Sequence, residues 1–235
     1  MRLLVLAGGF GTRLKSAVSE VPKALAPVGN DPFLKLQIIN WKKQGINSFV
    51  FLLYHQAEIV VNFLEKEQRD GSLNDCEIDC LIEPIPMGTG GAIAYAIDKL
   101  NLRDNFLVAN GDTWLSSGVI EVSQAIAPAI GVVKLSDVSR YGSVKFNQQN
   151  FISSFQEKNN HNSGWINAGL FQLNAELFYK WNHLPFSLEQ EMFPIMVADS
   201  KLRVVLLETD FIDIGIPEDY YRFCQWISKD RKGLL

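Results

Sequence analysis

The chain has 235 residues, 47% of them hydrophobic and 11% aromatic, which is enough to bury a sizeable core as one catalytic-size domain. The 22 Lys and Arg stand against 26 Asp and Glu, for a formal charge of −4, so no global field draws the protein to nucleic acid or to an anionic membrane. Three cysteines are too few for a disulfide framework, which points to a reducing, cytoplasmic setting, and the absence of any run of about 18 apolar residues argues against a membrane span.

Apolar runs and helical patterns alternate through the first half. Arg2–Leu6 reads as a buried strand, followed by a helix over 32–44, a strand over 48–53, a helix over 57–66, a strand over 76–82, a helix over 91–100 and a strand over 105–109. This is the βαβ rhythm of a doubly wound α/β fold with a mixed, mainly parallel sheet. Asp31 and Pro32 have the order of N-cap and first helical residue, Lys42 and Lys43 suit the dipole of the last turn, and Gly45 ends that helix. Beyond Ile130 the segments shorten, with strands over 131–135, 141–146, 151–155 and 165–173 suggesting a small antiparallel part. A helix over 188–198, strands over 203–207 and up to Ile214, and a closing helix over 218–228 complete the order, with no internal repeat or linker.

Three segments carry chemistry. The first strand runs into Ala7-Gly8-Gly9-Phe10-Gly11-Thr12-Arg13-Leu14, with Val21-Pro22-Lys23 downstream. Its glycines let backbone N–H groups approach anionic oxygens, and Arg13 and Lys23 supply positive charge, so the stretch reads as a polyphosphate site. It is neither the dinucleotide fingerprint, whose third glycine is replaced by Leu14, nor the Walker pattern, whose Gly-Lys-Ser/Thr is absent.

Asn110-Gly111-Asp112-Thr113 ends a strongly apolar strand, where open α/β sheets place their ligands, and Asp213 stands at a similar strand end. Each Asp alone is as readily a turn residue. Together with the first loop they suit Mg²⁺ carried by a nucleotide, which takes one or two carboxylates and completes its shell with phosphate and water oxygens; Mn²⁺ is an alternative. The second glycine-rich segment, Glu83-Pro84-Ile85-Pro86-Met87-Gly88-Thr89-Gly90-Gly91, allows close backbone approach to a flat base. A carboxylate at Glu83 can accept from both N1–H and the 2-amino group of guanine, whereas uracil and thymine offer one ring N–H, so GTP is favoured over UTP or dTTP.

In this order the motifs resemble those of the sugar-1-phosphate nucleotidyltransferases, and the likeness covers the whole chain. Thr12-Arg13-Leu14-Lys15-Ser16, Gly88-Thr89-Gly90-Gly91-Ala92, Arg140-Tyr141-Gly142 and the segment from Phe211 to Tyr220 are most similar to the heptose 1-phosphate guanylyltransferases within that family. Mannose 1-phosphate guanylyltransferases and the N-acetylmuramate or glucose 1-phosphate uridylyltransferases share most of these motifs. The resemblance implies a Rossmann-like, GT-A-like nucleotidyltransferase fold as a single domain over 1–235, with a nucleotide-binding half over about 1–130 and a sugar-phosphate-binding half over about 131–235. It implies nucleotide contacts at Ala7, Gly8, Gly9, Gly11, Thr12, Glu83, Gly88, Thr89 and Asn110, and metal ligands at Asp112 and Asp213. On the sugar-phosphate side it implies Gly142, Glu157, Lys158, Asn167 and Asp213; alone, Glu157 and Lys158 would read as a solvated pair on a polar loop. Catalysis would rest on Arg13, Lys23, Asp112 and Lys158, in service of nucleotide-sugar supply for surface polysaccharide such as capsule, lipopolysaccharide or S-layer glycan.

Two readings of other classes stay open: a metal-dependent glycosyltransferase, against which the absence of an Asp-x-Asp triplet counts, and a nucleotide-sugar sensor without turnover. Cys76 and Cys80 read as buried thiols, and His55, His161 and His183 lack metal-ligand spacing. Trp41, Trp181 and Trp226 read as packing or interface residues, which leaves room for a homodimer, and Trp114 as a border of the sugar pocket.

Overall fold

In chain order the elements begin with β1 (Arg2–Leu6), β2 (Pro27–Val28), β3 (Asp31–Pro32), α1 (Phe33–Lys43), β4 (Ser48–Leu53), α2 (Ala57–Arg69) and β5 (Glu77–Ile82). They continue with α3 (Gly88–Leu100), β6 (Asn105–Asn110), β7 (Thr113–Leu115), α4 (Val119–Ser123), β8 (Ala129–Leu135), β9 (Ser143–Phe146), β10 (Ile152–Gln156) and β11 (Gly164–Asn174). The last are α5 (Phe193–Ala198), β12 (Arg203–Leu207), β13 (Phe211–Asp213) and α6 (Pro217–Leu234). The computed structural model describes residues 1–69, 71–156 and 162–234, with side chains as far as Lys229. The chain forms two compact units, one from Met1–Pro84, Asn110–Ser116 and Asp210–Leu235, the other from Ile85–Ala109 and Ser117–Thr209.

In the first unit β4 lies between β1 and β5, parallel to both, with Leu3 opposite Phe49 and Phe51 opposite Cys80. All six residues of β4 are buried, as an unbroken apolar run predicts for a parallel strand covered on both faces. Helix α2 buries Ala57, Val60 and Leu64, a stripe at helical spacing. The helix predicted over 32–44 is present, with Lys42 and Lys43 in its last turn and Gly45 at φ +87° beyond it. Its start differs from expectation: Pro32 and not Asp31 holds the N-cap position, and Asp31 pairs with Lys35 at 3.4 Å.

A pairing of three-residue strands organises the rest of this unit. β7 and β13 run antiparallel, with Ile212 opposite Trp114 and Asp213 opposite Thr113. Trp114 is 1% exposed and packs on Phe223 and Trp226, at centroid separations of 5.2 and 5.8 Å. Its expected place beside a sugar pocket is therefore corrected: it is a core residue, in a cluster with Leu14, Phe33, Ile212, Ile214 and Phe223. A large aromatic buried in this way resists truncation by about 3–5 kcal/mol, so the cluster fixes β7, β13 and the turn carrying Leu14 as one body.

In the second unit the 11-residue β11 is the organiser. It runs antiparallel to β6 and to β8, β12 joins β8 in parallel, and β9 pairs antiparallel with β10. The register of β11 against β8 slips between Asn167 and Phe171, where Gly169 sits at φ +70°. Helix α3 starts at Gly88, three residues before the predicted start. The helix predicted over 188–198 is a π turn over Leu188–Met192 followed by α5. The fold is thus mixed α/β, and among the described residues no helix is long and apolar enough to cross a membrane.

Candidate active site

The loop after β1 is held from both ends. The Ala7 N–H donates to Leu52 O at 3.0 Å, and Leu14, 1% exposed, is sunk into the Trp114 cluster, so Gly8 to Arg13 arch between two fixed points. Within the arch the glycines differ in purpose. A Cβ on Gly8 would stand 2.9 Å from Glu83 Oε1 and 3.1 Å from Tyr54 N, whereas one on Gly9 would meet nothing within 4 Å. Gly11 has φ +61°, and the Cβ of Lys23 lies 3.2 Å from where its own would be. Gly8 therefore seats the loop against Glu83, and Gly11 turns it over the stem of Lys23. Gly9, Thr12 and Arg13 stay exposed.

The sequence reading placed Asp112 and Asp213 at strand ends without a means to bring them together; the β7–β13 pairing supplies it. Asp213 faces Thr113 in register, and the N–H of Ile214 donates to Asp112 O at 2.9 Å. Gly111 lets Asp112 approach the first loop, since a Cβ there would lie 2.8 Å from Leu6 O. The Lys23 ammonium hydrogen-bonds Asp112 Oδ2 and stands 3.8 Å from Asp213 Oδ1. Asp213 Oδ1 also accepts from the N–H of Gly215 at 2.7 Å, so the turn role open to it in sequence and the facing of a cation are both present.

Burial pushes the Asp213 carboxyl above the usual carboxylate range, the charge of Asp112 adds to this, and Lys23, the Gly215 N–H and Arg13 oppose it. Two carboxylates forced together, one of them desolvated, favour a compact counter-charge. Their hard oxygen donors suit Mg²⁺ or Mn²⁺. Among the described residues no group of three or more His, Cys, Asp and Glu could hold a metal, so further ligands would come from phosphate and water. Gly215, absent from the expected site, belongs to it: a Cβ there would stand 2.8 Å from Asp213 Oδ1 and 3.2 Å from Lys23 Nζ.

Glu83 is 8% exposed, at the end of β5, with its N–H donating to Leu53 O at 2.8 Å. Beside it, Phe10 is half exposed and rests on Tyr54 and His55, with ring centroids 5.8 and 5.2 Å away. Sequence reasoning missed this aromatic group; its signal was the position of Tyr54 and His55 just past the carboxyl end of a buried parallel strand.

In the second unit the glycines of Gly88-Thr89-Gly90-Gly91 answer to Phe186. Its carbonyl accepts from Gly90 N and Gly91 N at 3.1 and 3.2 Å, and its ring fills the space a side chain on Gly90 would need. Thr89 Oγ1 donates to Glu189 Oε2 at 2.6 Å and accepts from Leu188 N at 2.9 Å. Ser187 caps the following turn, with Gln190 N donating to its hydroxyl at 3.1 Å. Asn167 Oδ1 accepts from Gly169 N at 2.9 Å, which leaves its NH₂ group for other acceptors. A Cβ on Gly142 would stand 3.0 Å from Gln156 O. Glu157, Lys158 and His161 lie outside the described residues.

A glycine arch with two cations thus stands beside a carboxylate pair on a short cross-strand ladder. Residues 2–229 match the family model described as nucleotidyl transferase, and the chain belongs to the nucleotidyl transferase family. It is 32% identical over 225 residues to the D-glycero-alpha-D-manno-heptose 1-phosphate guanylyltransferase of Campylobacter jejuni, covering 95% of this chain and 98% of that one. The mannose-1-phosphate guanyltransferase of Schizosaccharomyces pombe is also 32% identical, with 99% of this chain covered but 66% of that one. HddC from Yersinia pseudotuberculosis has the same fold at a TM-score of 0.83 and 33% identity, covering 96% of this chain and 99% of that one. Its complex with GMP-PN matches at a TM-score of 0.81. The expected family and α/β nucleotidyltransferase fold are thus both found.

Proposed function

We infer that this protein transfers GMP from GTP to a sugar 1-phosphate, releasing pyrophosphate, and that the sugar is D-glycero-α-D-manno-heptose 1-phosphate. The observation that carries the reaction class is the Lys23, Asp112 and Asp213 cluster set against the glycine arch of residues 8–13. The two heptose 1-phosphate guanylyltransferases that match over nearly their full length, from C. jejuni and Aneurinibacillus thermoaerophilus, support the sugar. For the base, the support is the buried Glu83, whose carboxylate matches the paired donors of guanine.

Both substrates are anions, so the protein's task is to offset their repulsion and align them. The sugar phosphate oxygen attacks the α-phosphorus in line while pyrophosphate leaves on the far side, and no covalent intermediate with the protein is needed. Backbone N–H groups of Gly8 to Thr12 cradle the triphosphate, Arg13 stabilises charge growing on the leaving group, and Lys23 contacts the α-phosphate. Asp112 and Asp213 would hold the divalent ion, which supplies charge neutralisation at the phosphate oxygens. Ala7, Gly88, Thr89 and Asn110 complete the proposed nucleotide contacts. Gly142, Asn167, Glu157 and Lys158 are proposed for the sugar phosphate, with Lys158 pairing its phosphate and Glu157 its hydroxyls.

The test is Mg²⁺-dependent pyrophosphate release with five nucleoside triphosphates against heptose, mannose, glucose and N-acetylmuramate 1-phosphates. Release confined to GTP with the heptose phosphate is expected. Release with GTP and mannose 1-phosphate instead would replace the sugar and keep the mechanism, a second reading favoured by the match to the S. pombe enzyme. Binding without release on any pair would overturn the reaction.

A further inference from the structure

The Lys23 ammonium stands where a cation for the two aspartates belongs. It bonds Asp112 and lies within ion-pair distance of Asp213, its side chain is 13% exposed, and its stem passes under Gly11 of the phosphate loop. One lysine therefore neutralises the proposed metal ligands and reaches toward the proposed phosphate seat from the same point. With a divalent ion between the aspartates, the ammonium in that place would meet like charge. Three positive charges, an ammonium and a divalent ion, on two carboxylates would repel over a few ångströms, at roughly 1 kcal/mol per unit-charge pair at 4 Å even in water-like surroundings.

We propose that Lys23 is an internal counter-ion that occupies the divalent-ion seat between Asp112 and Asp213 and gives it up when the ion arrives, so that ion entry releases Lys23 toward the nucleotide phosphate. The inference rests on the reading of Asp112 and Asp213 as ion ligands. Two consequences follow from linkage. The protein without nucleotide binds a free divalent ion weakly, because the ion must displace an ammonium already in place. An ion delivered with a triphosphate enters readily, because the displaced ammonium finds a phosphate. The arrangement keeps Asp213 from lying buried and uncompensated when no ion is present, and makes loading of the site conditional on the nucleotide.

The experiment is Mn²⁺ titration of the full chain without nucleotide, followed by electron paramagnetic resonance, for the unmodified protein and for Lys23→Met, Arg13→Met and Asp112→Asn. Lys23→Met is expected to tighten Mn²⁺ binding by about tenfold or more, and Arg13→Met, which acts on Asp213 only through its field, by much less. Asp112→Asn is expected to abolish binding. Equal effects of Lys23→Met and Arg13→Met, or none from Lys23→Met while Asp112→Asn still abolishes binding, would overturn the counter-ion and leave the metal ligands standing. Unchanged binding in Asp112→Asn would overturn the ligand assignment itself. A measurement that needs no neutral variant is the ¹³Cε resonance of Lys23 in lysine-labelled protein, assigned by its absence from Lys23→Arg. It is expected to shift as Mg²⁺ saturates the site, and a resonance that stays in place overturns the proposal.

Discussion

Gln37 donates its side-chain amide to the carbonyl oxygen of Thr113 at 2.7 Å, from the middle of α1 to the first residue of β7. Asn40, one turn on, does the same for Leu115 at 2.7 Å. Both side chains are buried, 1% and 4% exposed, and between them they satisfy carbonyls of a strand whose one partner among the described residues is β13. They hold β7, and so Asp112 just before it, against the α1 face.

Gln37→Leu keeps the volume and removes the donor, leaving the Thr113 carbonyl buried without its partner. The expected loss is about 1–3 kcal/mol of unfolding free energy, read as a lower denaturation midpoint at unchanged slope. Gln37 Oε1 has no partner among the described residues, so Leu also removes a buried unpaired acceptor, which offsets part of the loss and places it toward the lower end of that range. A midpoint equal to that of the unmodified protein would show that the bond does not hold β7.

Gly8→Ala places a methyl 2.9 Å from the Glu83 carboxylate and 3.1 Å from the Tyr54 N–H, whereas Gly9→Ala meets nothing. The first substitution must push the loop from Glu83, and its affinity for GTP is expected to fall roughly ten- to a hundredfold, about 1.4–2.7 kcal/mol. Gly9→Ala is expected to melt as the unmodified protein does. Calorimetric titration with GTP and Mg²⁺ checks the pair, and equal affinities in the two variants would separate the loop's seating from base recognition.

These residues mark how far the sequence could be read. β4 has the bounds that its apolar run predicted, because a covered strand writes its burial into consecutive residues, and β12 has its predicted bounds too although only two of its five residues are buried. The β7–β13 ladder was hidden, since three-residue strands about 100 residues apart carry no period of their own and their partner is set by the Trp114 cluster. Trp114 next to a polar motif looked like a pocket residue for the same reason: sequence adjacency does not say which way a strand faces. Gly88 to Gly91 were legible as a close-approach loop, but the body approaching Gly90 is Phe186, almost 100 residues later. The slip at Gly169 and the aromatic group of Phe10, Tyr54 and His55 likewise depend on distant pairing. Asp112 and Asp213 could be singled out as candidates because strand ends in α/β folds are where ligands sit, a rule that needs no tertiary detail, and the structure brings both near Lys23.

Arg13 is exposed at the end of the arch, beside the anchored Leu14, and acts on Asp213 through its field. Since it makes little contribution to the core, Arg13→Ala is expected to melt normally while turnover drops on the order of 10²–10³-fold, as for loss of one preorganised charge-stabilising group. Steady-state kinetics beside a melting curve decides this. A normally folded variant with full turnover would remove Arg13 from the mechanism.

Glu67 shows a pH effect of ordinary sign. Burial alone would raise its pKa, but the Ser72 hydroxyl and the Lys35 ammonium, 3.0 Å away, draw it below the usual 4.5. A folded-state pKa below the unfolded one stabilises the protein above about pH 4.5, and that stabilisation fades as pH falls through the folded value. Glu67→Gln is expected to lower stability by roughly 0.5–1 kcal/mol at neutral pH, the scale of a partly exposed ion pair. The gap to the unmodified protein should narrow on acidification, and a gap that widens toward low pH would contradict the pairing.

Asp213 has the opposite sign and ties stability to function. Its folded-state pKa is raised above 3.8 by burial and by Asp112, so the folded protein holds that proton more tightly than the unfolded chain. As pH rises through 3.8 to the folded value, the ionised carboxylate becomes a cost to the fold. Asp213→Asn removes the charge, and its side-chain oxygen can still accept from the Gly215 N–H. In a metal chelator at neutral pH this variant is therefore expected to melt above the unmodified protein, while turnover falls about 10²-fold or more. Well below pH 3.8 the carboxyl is protonated in both states and the two melting temperatures should converge. A lower melting temperature for Asp213→Asn at neutral pH would mean that the attraction of Lys23 outweighs burial, and that the carboxylate pair supports the fold instead of straining it.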